Sequence, residues 1–480
     1  MSCEEMFSDY QGLVEQAEQR RPCFPTDRAS QLHQATLELM ERTGLRISHE
    51  EAHEILYGHG CRVDGDRVRI PGWLVEKALE SAPSQLAFFN RSGEASCVMT
   101  RNTTWYGPTL DAFDYLDPET GTRRSFTSRD CATTAALADA LPNFSWVMSI
   151  GVASDSPSHL SDRVIAKQAL TWCEKPLLFC CGDLKALKDI YSMAQLVAGD
   201  EERLLRRPNV LLFNSPISPL VFDQGVVDKL LFAAEKGLPQ LCYPGPQAGA
   251  TAPATLAGTV IQGNAESLFG VVLGQLVNPG APFLYGAFAT IMDMGTTAFS
   301  YGAPEMNLMA YHLAELARGY GLPCFGMSGC SDAKAVDAQA ATEAAFSCIN
   351  AAMSGADMVH DNGWLDSATL VSPEYMVLVD EIIAMVNHYM QGIGLEEERM
   401  ALDVIDQVGP GGHFLMEEHT MRYFRDIWYP RIFDRSPGST AGERDLASRI
   451  RERTLSLLAA ESNPLPRSLQ LEMEKLARHC

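Results

Sequence analysis

The sequence predicts an α/β chain built on a TIM (β/α)8 barrel with an N-terminal helical extension and C-terminal helices. Three observations carry that reading: about eight short apolar or β-branched runs, helical segments alternating with them, and a repeated punctuation between the two. The runs fall at 103–106, 146–153, 176–181, 209–213, 240–243, 283–287, 323–327 and 357–359. The punctuation is a helix end, then Gly-x-Pro, then a strand, as at Gly237 to Pro239, Gly280 to Pro282 and Gly321 to Pro323. Right-handed crossovers would make such strands parallel and bury both faces. A doubly wound open sheet is the competing architecture.

Residues 1–100 read as an extension, with helices at 28–44 and 50–58 and a short hairpin at 62–70. Residues 101–372 form the barrel, with helices expected at 162–173, 184–197, 224–236, 255–277, 304–320 and 337–353. Residues 373–480 read as a helical addition packed on the barrel, with helices at 373–392, 396–407 and 440–460.

Lys and Arg number 38 against 61 Asp and Glu, a net charge of −23 that repels phosphate backbones and anionic membranes. Nucleic acid and membrane are therefore not expected partners. The charged N-terminus lacks the apolar stretch of a secretory signal, and a cytoplasmic protein is expected. The thirteen cysteines lie in apolar runs without framework spacing, as reduced core thiols do, and no Cys-x-x-Cys pairing supports a zinc site.

In a barrel, chemistry belongs at the C-terminal strand ends. That rule selects 106–111, 214–216, 244–249, 288–294, 329–334 and 360–364, loops rich in Gly, Ser, Pro and Asn with few cations. Such a mouth does not suit a phosphate, and the glycines of 244–249 fit neither a dinucleotide nor a Walker pattern. The aromatic residues there are Trp105, Tyr106, Phe213, Tyr243, Tyr285, Phe288, Tyr301 and Trp364, whose faces would attract a quaternary ammonium group. Barrel core is the plainer role for any one of them. Between 328 and 343, Ser331 or Asp332 can cap the next helix, Lys334 can pair with Asp337, and Glu343 lies on an early turn. Cys330 is either a lowered-pKa thiol or packing, and His360 either a carboxylate partner or proton handler or a satisfied buried histidine.

Four segments carry a family resemblance: Leu-Tyr-Gly-Ala-Phe at 284–288, Tyr-Gly-Ala-Pro-Glu at 301–305, Ser-Asp-Ala-Lys-x-x-Asp-x-Gln at 331–339, and Gly-Pro-Gly-Gly-His-Phe-Leu at 409–415. Glu418, His419 and Thr420, with Arg425, Trp428, Pro430 and Arg435, extend it. The chain resembles the MttB-like trimethylamine methyltransferase superfamily over nearly its whole length. Members acting on trimethylamine carry pyrrolysine near the loop held here by Gly329 to Ser331, where this sequence has ordinary residues. It is therefore similar to the non-pyrrolysine branch, which implies methyl transfer from a quaternary amine to Co(I) of a corrinoid protein. Glycine betaine is the first expected substrate, with proline betaine, carnitine and γ-butyrobetaine behind it. The resemblance implies no tightly bound cofactor, a corrinoid (cobalamin) supplied on a cognate partner protein, no metal in this chain and no obligatory acid or base. A homo-oligomer is expected.

The substrate-binding candidates are Tyr106, Asp111, Phe213, Tyr285, Phe288, Tyr301, Gly329, Cys330, Ser331, Glu343, His360, Asn362 and Trp364. Two other readings stand beside this one: a barrel that binds a quaternary amine without transferring methyl, and a metal- or Schiff-base-dependent barrel enzyme using Lys334 or a Cys/His cluster.

Overall fold

The computed structural model describes residues 24–100, 103–437 and 445–478. The sequence readings of the N-terminal 23 residues, and of the start of the helix at 440, lie outside the described residues. Eight parallel strands form the centre: β1 Trp105–Tyr106, β2 Val147–Met148, β3 Leu177–Phe179, β4 Val210–Asn214, β5 Gln240–Cys242, β6 Phe283–Leu284, β7 Phe325–Met327 and β8 Met358–His360. Pairing runs from β2 through β6 in one sheet and from β7 through β8 to β1 in another. Two parallel bridges, Tyr106 with Phe144 and Tyr285 with Cys324, join the sheets into a closed ring. Every strand falls within a run read from the sequence, or within a residue of it.

Each strand is followed by a helix: α1 Ser128–Ala140, α2 Ser161–Trp172, α3 Leu184–Ala198, α4 Gln224–Lys236, α5 Leu256–Val277, α6 Pro304–Tyr320, α7 Ala338–Ser354 and α8 Pro373–Met390. Local chemistry fixes their starts. Thr127 and Asp130 make a reciprocal capping box at α1, a helix the sequence reading passed over, and Asp183, Asp223 and Asp337 each accept from the third residue of their helix. Helix α8, counted at sequence level with the C-terminal addition, packs between α7 and α1 and supplies the eighth helix of the ring. Helix α5 is long and apolar enough to cross a membrane, but 78% of its span is buried, as in a core helix.

Alternation along the strands divides the core in two. Met148, Leu178, Leu211, Leu241, Leu284, Phe325 and Met358 fill the barrel interior, whereas Val147, Leu177, Val210, Leu212, Phe283 and Val359 face the helices. The hairpin Ala87–Phe89 with Ala95–Val98 joins the interior cluster, and Phe89 N–H donates to Pro208 O just ahead of β4. It caps the N-terminal end of the barrel. The helix Asp27–Arg42 leans on α5 and α6, and the strand Leu45–Ile47 after it pairs in parallel with Val221–Phe222 of the β4–α4 loop. Helices Leu446–Leu458 and Arg467–Ala477 return to cover α1, α8, α2 and α3. The helix expected at 396–407 is instead two short ones, Glu397–Met400 and Leu402–Val408, broken at Ala401 with φ +52°.

Candidate active site at the C-terminal mouth of the barrel

Aromatic side chains from four strand ends converge at the mouth. The His360 ring, at the end of β8, stacks on Phe325 with centroids 4.9 Å apart and lies edge-on to Tyr243 at 5.3 Å and Phe213 at 5.9 Å. Above them the β6–α6 loop brings Phe288 to 6.0 Å from Tyr243, with Phe299 stacked on it at 4.9 Å and Tyr301 at 5.3 Å. Phe288 thus links the barrel interior to its rim.

This cluster contains buried polar atoms without partners: Tyr243 Oη, both ring nitrogens of His360, and Asp361 Oδ2. His360 Nδ1 approaches Asp361 Oδ1 to 2.7 Å, off the line a hydrogen bond needs. Unpaired buried groups in a ring of aromatic faces are what a polar, cationic ligand would satisfy. The backbone here is strained as well. Asp361 has φ +77°, and Asp366, Ser367 and Ala368 also lie in the left-handed region, a cost that persists only where neighbours enforce it. Asn362 enforces part of it, donating to Gly107 O at 2.7 Å and accepting from Ser328 Oγ at 3.1 Å. Asn362 is thereby a brace for β8 and β1.

Asp111, in the β1–α1 loop at φ +53°, donates its N–H to Ser149 O, while its carboxyl has no hydrogen-bond partner among the described residues. Partial solvent contact and dense surrounding protein together place it in a recess rather than on an open surface. Burial, and then the nearby Asp162, push its pKa up from 3.8 to about 7. Burial also pushes the Cys330 and Tyr301 groups well above their ordinary values, with Asp361 adding to both. Cys330 is consequently a neutral thiol, not a nucleophile.

The eight loops at this end hold three full cations, Arg123, Arg124 and Lys334, each engaged by carboxylates. Arg123 binds Asp114 and Asp366, Arg124 binds Asp130 and Asp117, and Lys334 binds Asp366 at 3.0 Å. Lys334 is therefore a solvent-exposed ion-pair partner, unlike the desolvated amine that Schiff-base chemistry requires, and it pairs with Asp366 rather than Asp337. Among the described residues, no group of three or more His, Cys, Asp or Glu side chains is placed to hold a metal ion.

The structure corrects several sequence expectations. Tyr106 and Tyr285 point outward: the former donates to Cys348 O on α7, the latter to Asn264 Oδ1 on α5, because alternation after Trp105 and Leu284 turns them to the helix layer. Neither lines the mouth. We expect Tyr285→Phe to cost roughly 1–3 kcal/mol of stability in chemical denaturation, leaving Asn264 Oδ1 unsatisfied, and to change kcat/KM by less than about twofold. The helix after β7 is capped by Asp337, not by Ser331 or Asp332. Ser331 Oγ donates to Glu343 at 2.5 Å, and Asp332 N–H and Gln339 donate to the same carboxylate, so Ser331 and Glu343 are spent on each other. Gly329, at φ +69°, leaves no space for a side chain, since a Cβ would meet Asn362 Oδ1 at 2.2 Å. Trp364 is buried with its Nε1 unpartnered, and its carbonyl accepts from Ser331 N–H. Phe213, Phe288, Tyr301 and His360 come together. Phe299 and Asp361 join them without having been singled out in the sequence, and only the neighbouring aromatic and histidine pointed to them.

Fold and mouth together define a closed (β/α)8-barrel protein whose ligand end is aromatic and carries no unpaired cation. The family model described as "Trimethylamine methyltransferase (MTTB)" matches residues 4–476. The chain belongs to that family of methyltransferases. It is 32% identical over 431 residues to a glycine betaine methyltransferase of Desulfitobacterium hafniense (strain Y51), covering 88% of this chain and 89% of that one. It is also 32% identical over 461 residues to the trimethylamine methyltransferase MttB of D. hafniense (strain DSM 10664 / DCB-2), with 94% and 92% covered. Among solved structures, a hydroxylamine complex of MtmB aligns over 98% of both chains with TM-score 0.45 and 11% identity.

Proposed function

We propose that this chain, working in the cytoplasm, transfers a methyl group from a small quaternary amine to the Co(I) corrinoid of a separate protein, glycine betaine being the first substrate to test. The carrying observation is the aromatic cluster of Phe213, Tyr243, Phe288, Phe299 and Tyr301 together with the unpartnered buried polar atoms among it, Tyr243 Oη, the His360 ring nitrogens and Asp361 Oδ2. Kinship to glycine betaine and trimethylamine methyltransferases supports the same reading.

A quaternary ammonium leaves as a neutral tertiary amine, so the reaction needs no acid to protonate the leaving group. The corrinoid of the partner supplies the nucleophile that accepts the methyl. The work left to this chain is to strip water from the cation, hold it and aim one methyl outward through the mouth. Aromatic faces replace hydration around the methyl groups, Asp111 and Asp361 balance the charge, and Tyr243 Oη with His360 offers donors to the carboxylate of a betaine.

The test is to incubate the protein with a reduced corrinoid protein, or with cob(I)alamin, and a panel of quaternary amines, following loss of the Co(I) absorbance and release of the tertiary amine. Phe288→Ala is expected to lower kcat/KM at least tenfold, about 1.4 kcal/mol, through the lost cation contact. Tight binding of the amines with no tertiary amine released would overturn the transfer and leave a cation-binding barrel.

A further inference from the structure

Beneath its aromatic rim the barrel holds an excess of hydrogen-bond donors. Trp146 Nε1, Tyr243 Oη and both ring nitrogens of His360 are buried without a partner among the described residues. Their side chains are at most 2% exposed, so bulk water does not stand in for the missing partners. An indole N–H can only donate, a phenol donates as readily as it accepts, and an imidazole donates from whichever nitrogen carries a proton. The orphan acceptor beside them is Asp361 Oδ2, one residue nearer the mouth than His360. Buried polar groups are nearly always paired, and three such groups together call for a ligand that brings acceptors.

Two glycines make the space in which these groups gather. Gly107 follows Tyr106, the ladder partner of Val359, and donates its N–H to Val359 O, so it stands beside His360. A Cβ on Gly107 would lie 2.2 Å from Trp146 Cδ2 and Cε2, and the indole fills the bare position. On β6, a Cβ on Gly286 would strike Phe325 O and come within 2.9 Å of Tyr243 Cε2. Both rings then meet Phe325, at 5.9 Å from Trp146 and 5.2 Å from Tyr243, and His360 stacks on the same phenyl ring. Leu178, Leu211 and Leu241 supply only apolar wall around them.

We propose that Trp146, Tyr243 and His360 form an anion subsite under the rim, which a betaine enters carboxylate first, and that Trp146 sets the preference for such zwitterions over plain tetraalkylammonium ions. The inference rests on the quaternary-amine reading of the same mouth. With its carboxylate on these donors, the ligand holds its ammonium group at the level of Phe288, Phe299 and Tyr301, with a methyl group toward the open end. A cation that lacks an acceptor leaves the indole and phenol donors unpaired, and a site built around polar partners rejects such analogues strongly. The donors have next to no exposed area in the empty protein, so Phe213 and Phe288, 5.9 and 6.0 Å from His360, part to admit the ligand.

Calorimetric titration of the full chain without corrinoid should give glycine betaine a Kd at least about a hundredfold below that of tetramethylammonium. Trp146→Phe keeps an aromatic ring and removes the donor; it should raise the Kd of glycine betaine about tenfold or more and that of tetramethylammonium less than about threefold. Tyr243→Phe, which removes a single oxygen, should show the same split. A readout on the wild type is independent of variant folding: with tryptophan labelled at the indole nitrogen, the resonance that Trp146→Phe lacks should shift downfield with glycine betaine and stay in place with tetramethylammonium. Equal affinities for the two ions, equal losses for both in the variants, or an unmoved indole resonance would overturn the proposal. Binding with this split but no methyl transfer to a corrinoid protein would overturn the functional reading alone, and binding of neither ion would overturn both.

Discussion

Asp332→Ala is expected to lower kcat/KM at least a hundredfold and to cost on the order of 3 kcal/mol of stability, although the side chain makes none of the ring contacts of the mouth. Its two oxygens accept from Tyr301 N–H at 2.9 Å, Gly302 N–H at 2.9 Å, Ser300 Oγ at 2.6 Å and Ser367 Oγ at 2.9 Å. One carboxylate from the β7–α7 loop therefore clasps both neighbouring loops. Removing it orphans two backbone donors and frees the segment that carries Phe299 and Tyr301 against Phe288. Hydrogen bonds to a charged acceptor are the strong kind, and loop misplacement of about 1 Å is enough for a hundredfold loss. Asp332→Asn keeps an acceptor in place and should fall between the wild type and Ala. Steady-state kinetics with saturating corrinoid acceptor and urea denaturation check this, and a kcat/KM within about threefold of wild type would rule out the clasp.

The contrast between Asp332 and its neighbours explains what the sequence disclosed. The barrel was legible because each of its strands is a short apolar run between breakers, and the crossover rule leaves few topologies for eight such units. The convergence of Phe213, Phe288, Tyr301 and His360 was legible from their positions at strand ends. What one strand position decides was not: Tyr106 and Tyr285 lie a single residue from an inward-facing site, and a one-residue error reverses the face. The segment 328–343 advertised chemistry through its polar residues, yet those residues are consumed in holding loops together, because hydrogen-bond partners far apart in sequence leave no local signature. The eighth helix was misassigned for a related reason, since a helical period fixes a helix but not what it packs against.

Asp111 gives the second large effect, and it depends on pH. Its folded pKa, raised to about 7 from 3.8, means that the unliganded fold prefers the protonated carboxyl. The sign follows from linkage: stability contributed by this group is complete below about pH 4 and is lost as pH rises through 7. A permanent cation bound in the mouth favours the ionised form, so its affinity must rise over the same interval in which the empty protein loses stability. For the wild type, KM for a quaternary amine should fall about tenfold from pH 6 to pH 8, whereas Asp111→Asn should have a flat KM near the wild-type value at pH 6. The same variant, without substrate, should melt above the wild type at pH 8 and match it at low pH. A wild-type KM that ignores pH across this range would mean that the carboxyl does not face the bound cation. A strained backbone at φ +53° would then hold an unpaired acid for no purpose at the mouth, a cost that folding alone gives no reason to keep.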